Sequence, residues 1–125
     1  MRTKAVRLYG ANDLRMEEFD LPSIKSNEIL AKVVSDSLCM SSFKASNQGF
    51  NHKRVPDDID QNPIIIGHEF CGEIIEVGDE WTGSFFSGQK FAIQPALNDP
   101  NGPVGLLSAP GYSYPFIGGD AQYVI

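Results

Sequence analysis

The run Ile64-Ile65-Ile66, followed at once by Gly67-His68-Glu69 and then by Phe70-Cys71-Gly72-Glu73, constrains this chain more than any other stretch. Three β-branched side chains in a row belong in a core, as strand. Burying them carries an imidazole and a carboxylate to the edge of that core. The acid is the telling residue, because a carboxylate between an apolar run and Phe70-Cys71-Gly72 is costly to desolvate unless a cation or hydrogen-bond donors lie beside it. Strand propensity continues to Val77, so the core is expected between Pro63 and Val77.

The flanks read as short strands and turns. Lys4 to Leu8 is a strand, Gly10-Ala11-Asn12-Asp13 supplies turn chemistry, and Leu14 to Phe19 mixes apolar and charged residues like the return strand of a hairpin. Ile29 to Val34, with Lys32 its one charge, is expected to be a largely buried strand whose end delivers Cys39. Ser41 to Gln48 suits one or two helical turns, with Ser41 or Ser42 as N-cap and Gly49 as terminator. His52 to Asn62, with Pro56 and three aspartates, reads as an exposed loop. Gln89 to Ile93 and Ala121 to Ile125 are further strands, and the Gly-, Pro-, Asn- and Ser-rich stretch from Pro95 to Gly119 reads as a long irregular loop. About six short strands, many turns and little helix imply a mainly β, barrel-like domain.

With 125 residues, 42% of them hydrophobic, residues 1–125 suit one compact domain and leave no room for a second. A formal charge of -6 opposes attraction to phosphate backbones and anionic lipid, so neither nucleic acid nor membrane is an expected partner. No apolar run approaches the roughly 20 residues of a spanning helix or the core of a signal peptide, which makes the cytoplasm the simplest location. Cys39 and Cys71 do not form a disulfide framework and are expected as reduced thiols. No strand is followed by a Gly-x-Gly-x-x-Gly turn into a helix, so no Rossmann element for a dinucleotide is expected in this chain. With a strand-like run at Ile125, that absence suggests a piece of a longer protein.

Cys39 by itself reads as a small buried hydrophobe, and His68 by itself is as much a core histidine as a functional one. Glu69 needs more explanation. Zinc supplies it, since a thiolate, an imidazole and a carboxylate complete three corners of a tetrahedral site and leave one for water or substrate. Zinc in such a site lowers the pKa of a bound water or alcohol toward neutrality, which suits hydride removal from the alcohol.

Gly67-His68-Glu69-Phe70-Cys71-Gly72-Glu73, with Gly78 closing the following strand, resembles the zinc-site signature of medium-chain alcohol and polyol dehydrogenases. Cys39-Met40-Ser41-Ser42 resembles that family's first-ligand motif, commonly Cys-Gly-Ser/Thr-Asp, and Gly118-Gly119-Asp120-Ala121-Gln122-Tyr123-Val124 resembles its Gly-Gly-Phe-Ala-Glu-Tyr-Val strand. The resemblance implies a GroES-like, partly open β-barrel that binds one catalytic zinc, with a further metal-site residue beyond Ile125, so that the isolated fragment is expected to hold zinc weakly or not at all, and with the NAD or NADP site on a Rossmann domain elsewhere in the parent. It makes Cys39 and His68 zinc ligands and Glu69 a direct, alternating or outer carboxylate. Ser41 takes the place of the hydroxyl that receives the substrate proton, and Lys44 stands where many relatives end that relay with a histidine. The isolated fragment would be inactive, and the parent a homodimer or homotetramer.

Three departures qualify this resemblance. Met40 replaces a small or basic residue. Ser42 replaces an acid that in relatives hydrogen-bonds the zinc-bound histidine. Pro95 to Tyr114 has no cysteine where many relatives carry four, so no structural zinc is expected. With Ile64-Ile65-Ile66 and Ala109-Pro110-Gly111-Tyr112-Ser113-Tyr114, this resembles the sorbose-1-phosphate reductase-like branch. A sugar phosphate would need a basic contact, for which His52-Lys53-Arg54 and Lys44 are the candidates. Two other readings compete: a GroES-like assembly module without metal chemistry, and a zinc-free quinone-reductase-like enzyme.

Overall fold

A computed structural model describes residues 1–95 and 97–125; Ala96, within the expected loop, lies outside the described residues. The architecture is mainly β with one short helix. Strands β1 (Arg2–Gly10) and β2 (Asp13–Asp20) form the expected hairpin, joined across Ala11-Asn12, where Asn12 takes φ 58°. Asparagine tolerates that left-handed conformation better than most residues. β1 also pairs with β4 (Ile64–Ile65), giving a three-stranded sheet in the order β2-β1-β4. The second sheet has the order β6-β5-β3-β7, from β3 (Ile29–Asp36), β5 (Phe70–Val77), β6 (Lys90–Ala92) and β7 (Tyr123–Val124).

The two sheets are open and not closed into a barrel. They meet where Asp120 to Gln122 crosses between them: Val6 N–H donates to the Asp120 carbonyl at 2.8 Å, Gln122 N–H to Lys4 at 3.0 Å, and Val33 N–H to Gln122 at 2.9 Å. One apolar cluster lies under the hairpin sheet and is built on Leu8, Val55, Ile59, Ile64, Ile66 and Tyr112. A second, around Ala31, Phe70 and Val124, lies inside the larger sheet. The isoleucine run feeds the first, as its composition requires.

Three expectations need correction. β3 is not largely buried: Leu30 and Ala31 are, but Val34 is 68% exposed, because one face of this open antiparallel sheet meets solvent. Helix α1 (Met40–Gln48) is capped by Cys39 and not by Ser41 or Ser42, with no side-chain cap bond; Gly49, at φ 54°, ends it as expected. The 52–62 segment is not simply exposed, since Val55 and Ile59 are buried in the first cluster and pin it there. The 95–119 stretch is irregular as expected, but Ser108 to Ser113 is buried against the rest of the chain. Cys39 and Cys71 are free thiols.

Candidate metal centre

The register of β3 on β5 brings the candidate residues together. Asp36 pairs with Phe70 at the end of this antiparallel ladder, so the residues after Asp36 and those before Phe70 leave the sheet at the same end. The Ser37 N–H donates to the Glu69 carbonyl at 2.9 Å and ties the two exits to each other. Cys39 follows on one side, at extended φ -119° and ψ 142°, where its carbonyl starts α1. His68 and Glu69 follow on the other. Between Ile66 and His68 the chain turns at Gly67, whose φ of 103° suits glycine; a Cβ there would strike the Asp36 carboxylate and the Asp120 backbone.

One donor atom each from Cys39, His68 and Glu69 lie within 4.8 Å of one another, with His68 Nε2 3.9 Å from Glu69 Oε1. His68 is 7% exposed, and both its ring nitrogens are buried without a hydrogen-bond partner. Buried polar atoms are normally paired, so an imidazole with two unpaired nitrogens beside a thiol and a carboxylate calls for a further group. The donor set and the spacing fit zinc. The Cys39 thiol is held below its usual pKa, first by the Ser41 hydroxyl and then by the adjacent imidazole and the Ser41 backbone N–H. That favours the thiolate, the form that binds metal.

The other predicted residues fall around this triangle. Ser41 is half-buried in the first turn of α1, two residues after Cys39. Lys44 lies one turn further along and is exposed. The Ser42 hydroxyl is buried and unpaired. In the basic segment Lys53 is exposed, but the Arg54 guanidinium donates to Asn98 Oδ1 at 2.9 Å and to the Leu107 carbonyl, so it anchors the long loop.

Sequence reasoning missed three neighbours. Burial, then the adjacent Asp120 carboxyl, raises the pKa of Asp36 to about 7. Asp120 carried a signal, an acid where the resembled motif has phenylalanine; Asp36 carried none. Tyr112 packs its ring 4.8 Å from that of His68 and 5.6 Å from that of His52. Burial raises the Tyr112 pKa.

Residues 25–125 match the model of the alcohol dehydrogenase GroES-like domain. The chain belongs to this family. L-sorbose 1-phosphate reductase from Klebsiella pneumoniae is 55% identical over 123 residues, 98% of this chain and 29% of that protein. Mannitol-1-phosphate 5-dehydrogenase from Aliivibrio fischeri is 44% identical over 124 residues, 99% of this chain and 28% of its own length. Among solved structures, a zinc-binding dehydrogenase from Sinorhizobium meliloti 1021, bound to NADP, superposes with a TM-score of 0.73 at 25% identity, covering 99% of this chain and 36% of that one. This GroES-like chain thus spans less than a third of the length of these two curated relatives. The named resemblance to the sorbose-1-phosphate reductase-like branch agrees with them.

Proposed function

We propose that residues 1–125 are the metal-binding domain of a zinc-dependent oxidoreductase that moves hydride between nicotinamide and a secondary alcohol of a polyol or sugar phosphate. The observation that carries this reading is the Cys39, His68 and Glu69 triangle, with both His68 nitrogens otherwise unpaired. Cys39 and His68 would hold the metal, with Glu69 completing the site directly or through water, and zinc held there would supply a Lewis acid for the alcohol oxygen. Ser41 Oγ, two residues from Cys39, accepts the alcohol proton and passes its own outward to solvent water beside exposed Lys44. The names of the two relatives favour a phosphorylated substrate, and exposed Lys53 with Lys44 supplies cations for it.

Hydride transfer belongs to a parent that carries the nicotinamide site, which the resemblance puts on another domain and in a dimer or tetramer. Two measurements test the reading. The purified parent should hold stoichiometric zinc, lost on Cys39→Ser or His68→Ala; wild-type parent that folds but excludes zinc sinks the metal site. Assays of the parent on phosphorylated and free polyols, with NAD and NADP in parallel, test the substrate class. Equal rates on both would remove the phosphate contact.

A further inference from the structure

Tyr112 is 4% exposed and its ring lies in the first apolar cluster, against Ile64, Ile66 and Ala109. It faces His68, whose two ring nitrogens have no hydrogen-bond partner to fix them. The ring meanwhile leans on the His68 imidazole at 49° and lies nearly parallel to that of His52, at 6°. His52 is itself held, because its Nδ1 accepts the Arg54 N–H at 3.1 Å.

The backbone fixes Tyr112 as tightly as its ring. Gly111 takes φ 79°, and a Cβ there would strike the Gly67 carbonyl and the His68 nitrogen, so this loop lies directly on the turn that bears His68. Gly111 N–H donates to Ile117 at 2.8 Å. On the other side the Ser113 hydroxyl accepts the Ala109 N–H at 3.1 Å and donates to the Arg54 carbonyl at 2.6 Å, which clamps the loop to the 52–62 segment.

We propose that Tyr112 is a positioning residue of the metal centre: its ring orients the His68 imidazole toward Cys39 and Glu69. This rests on the zinc reading above. The ring, carried by the loop that lies on the Gly67 turn, prevents the imidazole from swinging toward that loop.

Cobalt(II) in place of zinc gives a readout independent of turnover, through the thiolate charge-transfer band and the d–d bands. Wild-type parent protein should take up cobalt with a thiolate band. Tyr112→Phe, which keeps the ring, should keep cobalt affinity and the d–d bands. Tyr112→Leu, which removes the ring, should lower cobalt affinity about tenfold or more and shift the d–d bands, the size expected when a group that orients a metal ligand is lost, with Tyr112→Phe as the conservative rescue. If Tyr112→Leu, folded by circular dichroism, binds cobalt with wild-type affinity and bands, the proposal falls and the zinc site stands. If wild-type parent shows no thiolate band, both fall.

Discussion

At Gly67 the backbone takes φ 103° and leaves no room for a side chain between the Asp36 carboxylate and the backbone of Gly119 and Asp120. Gly67→Ala combines backbone strain with overpacking and should cost about 2–4 kcal/mol in urea unfolding. An alanine variant within about 0.5 kcal/mol of wild type would show that the turn relaxes. The turn also displays how much of the site was legible. Glu69 stands out because an acid is unusual beside an apolar run, and it draws attention to His68 next to it, whereas Cys39 is noticed only through the resemblance of Cys39-Met40-Ser41-Ser42 to a first-ligand motif. Tyr112 did not stand out, since an aromatic residue in a Pro/Gly-rich loop looks like packing. Asp36 resembles any acid at a strand end until Asp120 is seen beside it.

The elements around the site can be tested by what pins them. Ile59 has no exposed surface and anchors a segment that otherwise reads as polar loop. Ile59→Ala should therefore cost about 2–5 kcal/mol, as for a core residue, and increase proteolysis between His52 and Asn62. The long loop has a pH-sensitive tether, the hydrogen bond from Tyr114 Oη to Asp99 Oδ2. That bond holds the Asp99 carboxyl below its usual pKa, while burial and then the carboxylate raise the Tyr114 phenol above its own. The depressed acid contributes stability above about pH 4 that is lost as pH falls, and the raised phenol contributes stability below about pH 10 that is lost as pH rises. The difference in melting temperature between wild type and Tyr114→Phe should thus be largest between about pH 5 and 9. It should shrink below about pH 3, and a constant difference would exclude the tether. The hairpin and the central strands were legible, because alternation and β-branched runs are local signals. The caps were not: Cys39 starts α1 because β3 ends nearby, which no capping propensity announces.

Across the whole molecule, two open sheets leave apolar surface uncovered. A groove of about 260 Å³ is lined by Ala31, Phe70, Phe91, Ile93, Ile117 and Val124, and Leu38 and Phe86 are 97% and 66% exposed elsewhere. Folded chain should enhance the fluorescence of a hydrophobic dye and self-associate as concentration rises, which sedimentation velocity would measure. Leu38→Ser with Phe86→Ser should reduce association without lowering the melting temperature, and an unchanged sedimentation profile would place the contacts elsewhere. None of the described helices is long and apolar enough to cross a membrane. By itself the sequence determined the β class, the hairpin, the buried isoleucine run and the residues with metal chemistry, because these depend on side-chain type and short-range periodicity. Tertiary structure alone decided that Cys39 meets His68 and Glu69, that Asp36 and Asp120 share one corner, and that Tyr112 packs on His68. Those meetings depend on the Asp36 to Phe70 register and on a loop folded back over Gly67, and contacts between residues far apart in the chain leave no periodic trace in it.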